Sequence, residues 1–236
     1  MKEAQSLLCV GTSGYSYPWN ESKPTPFAWY LSRGFNAVEV NGSFYRFPQP
    51  SWVRTWSKAP PYFTFSMKVH RSITHYSRLR GRATDLWMKF QAPLRAIDDR
   101  IRFYLFQMPP TYCFEGERVK EIGSFLEATG LGNRAVFEFR HPSWWKAVEA
   151  VEGVGAAFCS IDCPDLPRDV LSVNDVAYLR LHGREAWYDY VYTEGELDDL
   201  LRRLKGLRAK TKAIFLNNDH GMLENGAYLL KKLSIR

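Results

Sequence analysis

Carboxylates, guanidiniums and imidazoles recur at alternate positions near the ends of several apolar runs, and groups of those types at that spacing can bind an anion and relay its protons. In residues 134–145, RAVFEFRHPSWW, Val136, Glu138 and Arg140 share one parity, and Phe137 and Phe139 share the other. In an extended strand, a carboxylate and a guanidinium then point one way and two aromatics the other. The same alternation sets Glu39 and Asn41 against Val38 and Val40, and Ser66, Lys68 and His70 against Phe65, Met67 and Val69. It predicts that Ser160 and Asp162 share the polar face of a sixth run, and that Tyr178, Arg180 and His182 oppose Leu179 and Leu181 in a seventh. Gln107 closes a fourth run, and Asn217 and Asn218 close an eighth.

Ionised groups in a packed interior cost several kcal/mol each unless they are paired, so so many of them need either one another or a ligand. The chemistry that fits is acid–base catalysis on an anionic substrate. Glu39 or Glu138 would be the general base and His182 the general acid, with Asp162 a further catalytic carboxylate. The acid and base roles require pKa values moved toward neutrality. Lys68, Arg140, Arg180 and Arg184 would neutralise phosphate, and Asn41, Gln107, Asn217 and Asn218 would orient it. Residues 71–82, RSITHYSRLRGR, add Arg71, Arg78, Arg80 and Arg82 with His75 and Tyr76, either as a phosphate-grasping lid or as a plain solvated loop. His70, His182, Glu39, Glu138 and Asp162 have the chemistry to hold a divalent metal ion, although no HxxxH or HExxH spacing supports one, and no metal ligand set is assigned.

These groups need a scaffold that brings many strand ends together. Eight strand-like runs occupy residues 7–11, 37–44, 63–70, 101–108, 134–140, 155–162, 176–183 and 212–219. Helical periodicity separates most of them, as in Leu86, Trp87, Phe90, Leu94 and Ile97, in Val119, Ile122, Phe125 and Leu126, and in the leucines from Leu197 to Leu207. Alternating strand and helix predicts an α/β fold, and eight repeats in 236 residues predict a TIM-type (β/α)8 barrel, read here as one domain over residues 1–236. Such barrels keep their sites at the carboxyl ends of the strands, where the polar parity falls. No GxGxxG follows the first strand, which weighs against an open dinucleotide-binding sheet. Residues 163–175 are too short and too rich in Pro and Asp for a crossover helix, so the link between strands six and seven should be irregular.

A net charge of +7 favours an anionic partner, such as a nucleic acid or a phosphorylated small molecule, over a neutral one. The aromatic content of 15% is high enough that some rings should line a cleft, but Trp144 and Trp145 read as helix-to-barrel packing. Gly11, Ser13 and Gly14 in the first connection offer close backbone approach, with Tyr15, Tyr17 and Trp19 as stacking surfaces. The four cysteines lack paired spacing and read as reduced packing residues. The amino-terminal apolar run is too short for a signal peptide or a membrane span, giving a cytoplasmic location and no membrane as the default expectation.

The motifs VGTSGYSYPW, FNAVEVNGSFYRFP, FTFSMKVHRSITHYSRLR, LFQMPPTY, AVFEFRHPSWW, YLRLHGR and FLNNDHG resemble, in order and spacing, the domain of unknown function 72 family, also called YecE-like proteins. The resemblance spans nearly the whole chain and implies a TIM-type barrel without an established reaction. By position it marks Glu39, Asn41, Ser43, Tyr45, Arg46, Lys68, His75, Gln107, Glu138 and Arg140, then Asp162, Arg180, His182, Arg184, Asn217 and Asn218. The first loop, with NESKPTP at residues 20–26, departs from the family pattern.

Taken together, the sequence favours a phosphoester-directed enzyme, with nucleic-acid hydrolysis as one form of it. A non-catalytic binder of RNA or single-stranded DNA is a second reading, since cations and exposed aromatics suit it equally. A carbohydrate-active enzyme is a third, supported by two carboxylates and abundant Trp but leaving the cationic surplus unused.

Overall fold

Each apolar run forms a strand, and each strand pairs in parallel with its neighbours. The computed structural model describes residues 7–234, so the first six residues of the amino-terminal stretch lie outside the described part. The strands are β1 (Leu7–Thr12), β2 (Ala37–Val40), β3 (Thr64–Lys68), β4 (Ile101–Gln107), β5 (Ala135–Glu138), β6 (Ala157–Asp162), β7 (Val176–Leu181) and β8 (Thr211–Leu216), in the order β1-β8-β7-β6-β5-β4-β3-β2. An isolated parallel bridge between Ser13 and Glu39 joins the first strand to the second and closes the ring. This is a TIM-type (β/α)8 barrel.

Helices α1 (Pro26–Ser32), α2 (Pro50–Trp56), α3 (Ala83–Gln91), α4 (Gly116–Thr129), α5 (Val148–Gly153), α6 (Glu194–Gly206) and α7 (Met222–Ser234) lie between or after the strands. Local signals set their ends. Pro stands in the first turn of α1 and α2, where its missing N–H has no intrahelical partner to lose. Thr193 and Glu196 form a capping box that starts α6, and Leu197, Leu200, Leu201 and Leu204 bury one stripe of it. Among the described residues no helix is long and apolar enough to cross a membrane.

The β1–β2 seam is closed largely by side chains. Asn36 donates from Nδ2 to the Leu8 carbonyl at 2.8 Å and accepts the Val10 N–H at 2.7 Å. Tyr30 accepts the Thr12 N–H at 3.0 Å and donates to the Ala37 carbonyl at 2.8 Å, so one phenol serves both edges. A Cβ on Gly11 would stand 2.3 Å from the Ala37 oxygen. The close approach expected of Gly11 is therefore made to the neighbouring strand.

Inside the barrel, Cys9, Phe103, Leu105, Val136, Cys159 and Phe215 pack with the apolar face of Tyr178, and the polar groups lie above them toward the carboxyl end. Outside, Phe137 stacks on Phe106 at 5.0 Å, and Phe139 stacks on the fully buried Trp144 at 3.9 Å. The two faces of β5 are those its alternation predicts. Strand β6 reverses the expectation. Cys159 and Ile161 join the interior cluster, whereas Ser160 accepts the Leu171 N–H and Asp162 bonds to Arg184 and Tyr192 outside it. Alternation defines the two faces of a strand but not which of them turns inward, and here the polar face satisfies the connecting loops.

The link after β6 contains no helix, as its length and composition predict. The segment after β3 is ordered: residues Ser72–Tyr76 wind into one π-helical turn with Ile73 and Thr74 buried beneath it.

Candidate functional site

Strand β2 stops at Val40, four residues before the expected run does, because Gly42–Phe44 turns into a 3-10 helix. Ser43 Oγ then lies 2.7 Å from the Lys68 carbonyl and 2.8 Å from that of Val40, pinning the turn to the end of β3. The result is that the Phe44 ring sits 4.5 Å from Lys68 Nζ, face to cation.

Arg180, fully buried at the carboxyl end of β7, is the hub. Its Nη2 donates to Glu39 Oε1 at 2.6 Å and its Nη1 donates to Glu138 Oε2. Glu39 also accepts from Ser13 Oγ at 2.8 Å and from the Tyr178 hydroxyl at 2.6 Å. With its proton committed to Glu39, Tyr178 accepts from Ser66 Oγ at 2.7 Å. The other Glu138 oxygen accepts from Arg140 Nε, and the Arg140 guanidinium lies 4.4 Å from the centre of the Trp187 ring.

His182 Nε2 faces Arg180 Nη1 at 3.3 Å and Arg140 Nη2 at 3.5 Å. Guanidiniums carry only donors, so Nε2 must present its lone pair and the ring proton sits on Nδ1. The Asn217 atom 3.0 Å from Nδ1 is the amide nitrogen Nδ2, so this tautomer requires the amide turned over to bring its oxygen to that proton. Gly183, at φ +105°, starts the loop that folds Trp187 and Tyr188 over this imidazole; a Cβ there would meet the Ala186 oxygen at 2.5 Å.

Charge does not balance in this cluster. Two carboxyl groups, Glu39 and Glu138, meet three cationic side chains, Arg140, Arg180 and Lys68, and the arginines make all the ion pairs. Burial acts to raise the Glu138 carboxyl, but Arg140 and Arg180 overcome it and hold the group well below the usual carboxylate range. Burial, then Arg180, pulls Lys68 from 10.5 down to about 8, against the opposing pull of Glu138 and Glu39. Burial followed by Arg180 and Arg140 keeps His182 well below its ordinary value, hence neutral at pH 7. A base and an acid tuned toward neutrality are not what Glu138 and His182 are: both are shifted down.

The structure thus gathers Glu39, Lys68, Glu138, Arg140, Arg180, His182 and Asn217. Asn41 and Gln107 stand half-buried at the rim, where the Asn41 amide donates to the Ser13 carbonyl at 3.2 Å. Gln107 is in register with Glu138 on the next strand. Arg71 is exposed, 5.9 Å from the Tyr45 ring centre and 5.8 Å from that of Tyr76. Arg78 donates to Thr111 at 3.2 Å. Burial, then Lys68, Arg78, Arg140 and Arg71, lowers His75 to about 4, so the rim segment shares the field of the mouth. Arg80 instead pairs with Glu121 of α4.

Asp162, Arg184 and Asn218 are not brought to the mouth. Asp162 is bound by Arg184 at 3.1 Å and by the Tyr192 hydroxyl at 3.1 Å, and Arg184 also pairs with Glu196 at 3.0 Å. Asn218 donates to the Tyr190 carbonyl at 2.8 Å and to Asn225 at 2.9 Å. His70 is held by Ser72 at 2.7 Å. The five side chains considered for a divalent ion therefore do not converge. Among the described residues no group of three His, Cys, Asp or Glu is placed to hold a metal.

Phe44 and Trp187, the two rings that face site cations, were not distinguishable as site residues from sequence. Phe44 reads as a strand residue, and only the crowding of aromatics in residues 187–192, directly after LHGR, hints at Trp187. A cavity of about 420 Å³ opens beside the network, between Ser13, Asn41, Tyr15, Tyr17, Trp52 and Trp56.

A closed barrel of eight parallel strands with charged groups at their carboxyl ends defines a TIM-barrel protein. More narrowly, the chain belongs to the DUF72 family, described as "Protein of unknown function DUF72", which matches residues 9–235. A DUF72 family protein from Thermotoga maritima is 28% identical over 98% of this chain and 100% of its own, with a TM-score of 0.82. One from Enterococcus faecalis is 20% identical over 98% and 96%, also at 0.82, and shares the fold. No curated protein matches the chain.

Proposed function

We propose that the barrel mouth binds a phosphate-bearing anion and that the protein is a phosphoester-directed enzyme, with nucleic acid within its substrate class. The observation that carries this reading is the unbalanced cation: Lys68 has no carboxylate ion pair among the described residues, while Glu39 and Glu138 are engaged by Arg180, Arg140, Ser13 and Tyr178. An anion placed against Lys68 and Arg140 neutralises that surplus. Phosphoryl chemistry depends mainly on positioning and on neutralising charge, which fixed cations supply without reorganising. Glu138, held ionised by two guanidiniums, is then the counter-charge that fixes Arg140 and Arg180, and Glu39 orients Arg180 from the other side.

The test is binding of a phosphate monoester and of labelled single-stranded and duplex oligonucleotides across a salt series, in wild type, Lys68→Met and Arg140→Ala. Affinity should fall with salt and drop in both variants. Undiminished binding in both, or none to wild type at low salt, contradicts the reading.

A second reading, non-catalytic binding of single-stranded nucleic acid, is favoured by the rim. Tyr45 and Tyr76 are 66% and 70% exposed, with the Arg71 guanidinium near both rings, a surface on which bases can stack. Loss of oligonucleotide binding on removing both tyrosines, with monoester binding intact, would favour it.

A further inference from the structure

We propose that Lys68 is an imine-forming lysine, whose amine condenses with the carbonyl of a small phosphorylated aldehyde or ketone held at the barrel mouth. The proposal rests on the anion-binding reading and adds to it the class of substrate and a covalent step.

Five features of the geometry support it. Lys68 ends a barrel strand at the carboxyl end and retains only 9% of its surface, so its side chain is largely withdrawn from bulk water. Among the described residues it makes no ion pair, and its contact is the Phe44 ring face at 4.5 Å, which shields one side without accepting a proton. The charged groups acting on it come from β2, β5 and β7 and from just beyond β5: Glu39, Glu138, Arg180 and Arg140. Both carboxylates are committed to guanidiniums, so neither is free to hold the ammonium. Its backbone is fixed by Ser43, 2.7 Å from the Lys68 carbonyl oxygen.

A desolvated lysine beside another cation is the arrangement that leaves an amine neutral and nucleophilic near pH 7. With the shift to about 8, roughly a tenth of Lys68 is free amine at pH 7, against well under a thousandth for an exposed lysine with an ordinary value of about 10.4. A purely phosphate-binding lysine gains nothing from losing its charge, whereas a nucleophile requires it.

The step balances without a co-reactant. The nitrogen lone pair forms the new C–N bond as the carbonyl π electrons move to oxygen. The two amine hydrogens leave with that oxygen as water, and the C=N bond of the imine remains. Arg140, whose charge acts on Lys68, is the cation that would hold the phosphate.

The experiment is borohydride trapping on the full chain with glycolaldehyde phosphate and, in parallel, with unphosphorylated glycolaldehyde, each reduced adduct being located by peptide mass spectrometry. The exposed Lys23 and Lys58 serve as internal references. Trapping of Lys68 by the phosphorylated aldehyde at pH 7 is expected at least tenfold faster than at either reference. It should slow several-fold in Arg140→Ala, and the rate should rise with pH to a plateau above about 8. Lys68 labelled no faster than the references by either aldehyde overturns imine formation, and monoester binding measured on the same samples shows whether the anion reading survives. Fast trapping that is equal for both aldehydes overturns the phosphorylated substrate while leaving the reactive amine. Lys68→Arg removes the amine and should lose the adduct.

Discussion

Two ionic clusters, one buried and one half-buried, stand at the same end of this barrel, and only one of them faces the mouth. Inside, Glu39, Glu138, Arg140, Arg180 and Lys68 carry more cations than carboxylates, and Lys68 is left without a carboxylate partner. Outside, Asp162, Arg184 and Glu196 interlock with Tyr190, Tyr192 and Thr193, and each carboxylate there is met by a guanidinium and a hydroxyl. The second cluster holds the loop after β7 and the start of α6; the first has charge to spare. An ionic network at a strand end is thus informative about ligands only when its internal pairing leaves something over.

The comparison is broken most severely at the hub. Arg180→Met strands Glu39 and Glu138 in the interior, and a loss of about 3–5 kcal/mol in chemical denaturation is expected, with monoester binding lost as well. A loss below about 1 kcal/mol would mean that the inner network is not held by this guanidinium. Asp162→Asn in the outer cluster should cost about 1–3 kcal/mol by weakening the hold on Arg184, and should leave monoester affinity within twofold of wild type. Affinity falling together with stability would join the two clusters that the structure separates.

Lys68 sharpens the contrast through pH. Its value is lower in the folded chain than the ordinary 10.5, so between about 8 and 10.5 the unfolded chain holds the extra proton. Stability therefore gains from this residue as pH rises through that window. The rise should be missing in Lys68→Met when denaturation is followed from pH 7 to 10.5, and an identical slope in both proteins would remove the buried amine from the description. Glu138 acts in the same direction at the acid end: its depressed value gives stability that is complete above the ordinary carboxylate range and is lost as pH falls below it. The smallest effect belongs to Arg71→Ala at the exposed rim. Stability should change by less than about 0.5 kcal/mol, and the salt slope of oligonucleotide binding should fall by about one.

The barrel was legible because each strand carries its own alternation, and because eight such runs separated by helical patterns admit few arrangements. The inner cluster was legible for the same reason on β2, β3, β5 and β7, where the apolar parity is bulky enough to need the helix layer. On β6 the polar parity carries Phe158 as well as Ser160 and Asp162, and that ring packs with Phe139 and Trp145 outside the barrel while Cys159 and Ile161 turn inward. Asp162 on that outer face is then satisfied by Arg184 and Tyr192, 22 and 30 residues downstream. The direction of the pKa shifts was equally hidden. Burial and the partners of Glu138 and His182 depend on distances among three strands, so a sequence that suggests an acid and a base yields instead a fixed anion and a neutral imidazole.

The central claim, that the spare cation at Lys68 recruits a phosphate-bearing anion, is tested most directly by monoester affinity between pH 7.5 and 9.5, where the ligand stays dianionic. Wild-type affinity should decline as pH rises through about 8, and Lys68→Met should bind weakly with no such dependence. A flat wild-type profile, or full affinity in Lys68→Met, would contradict it.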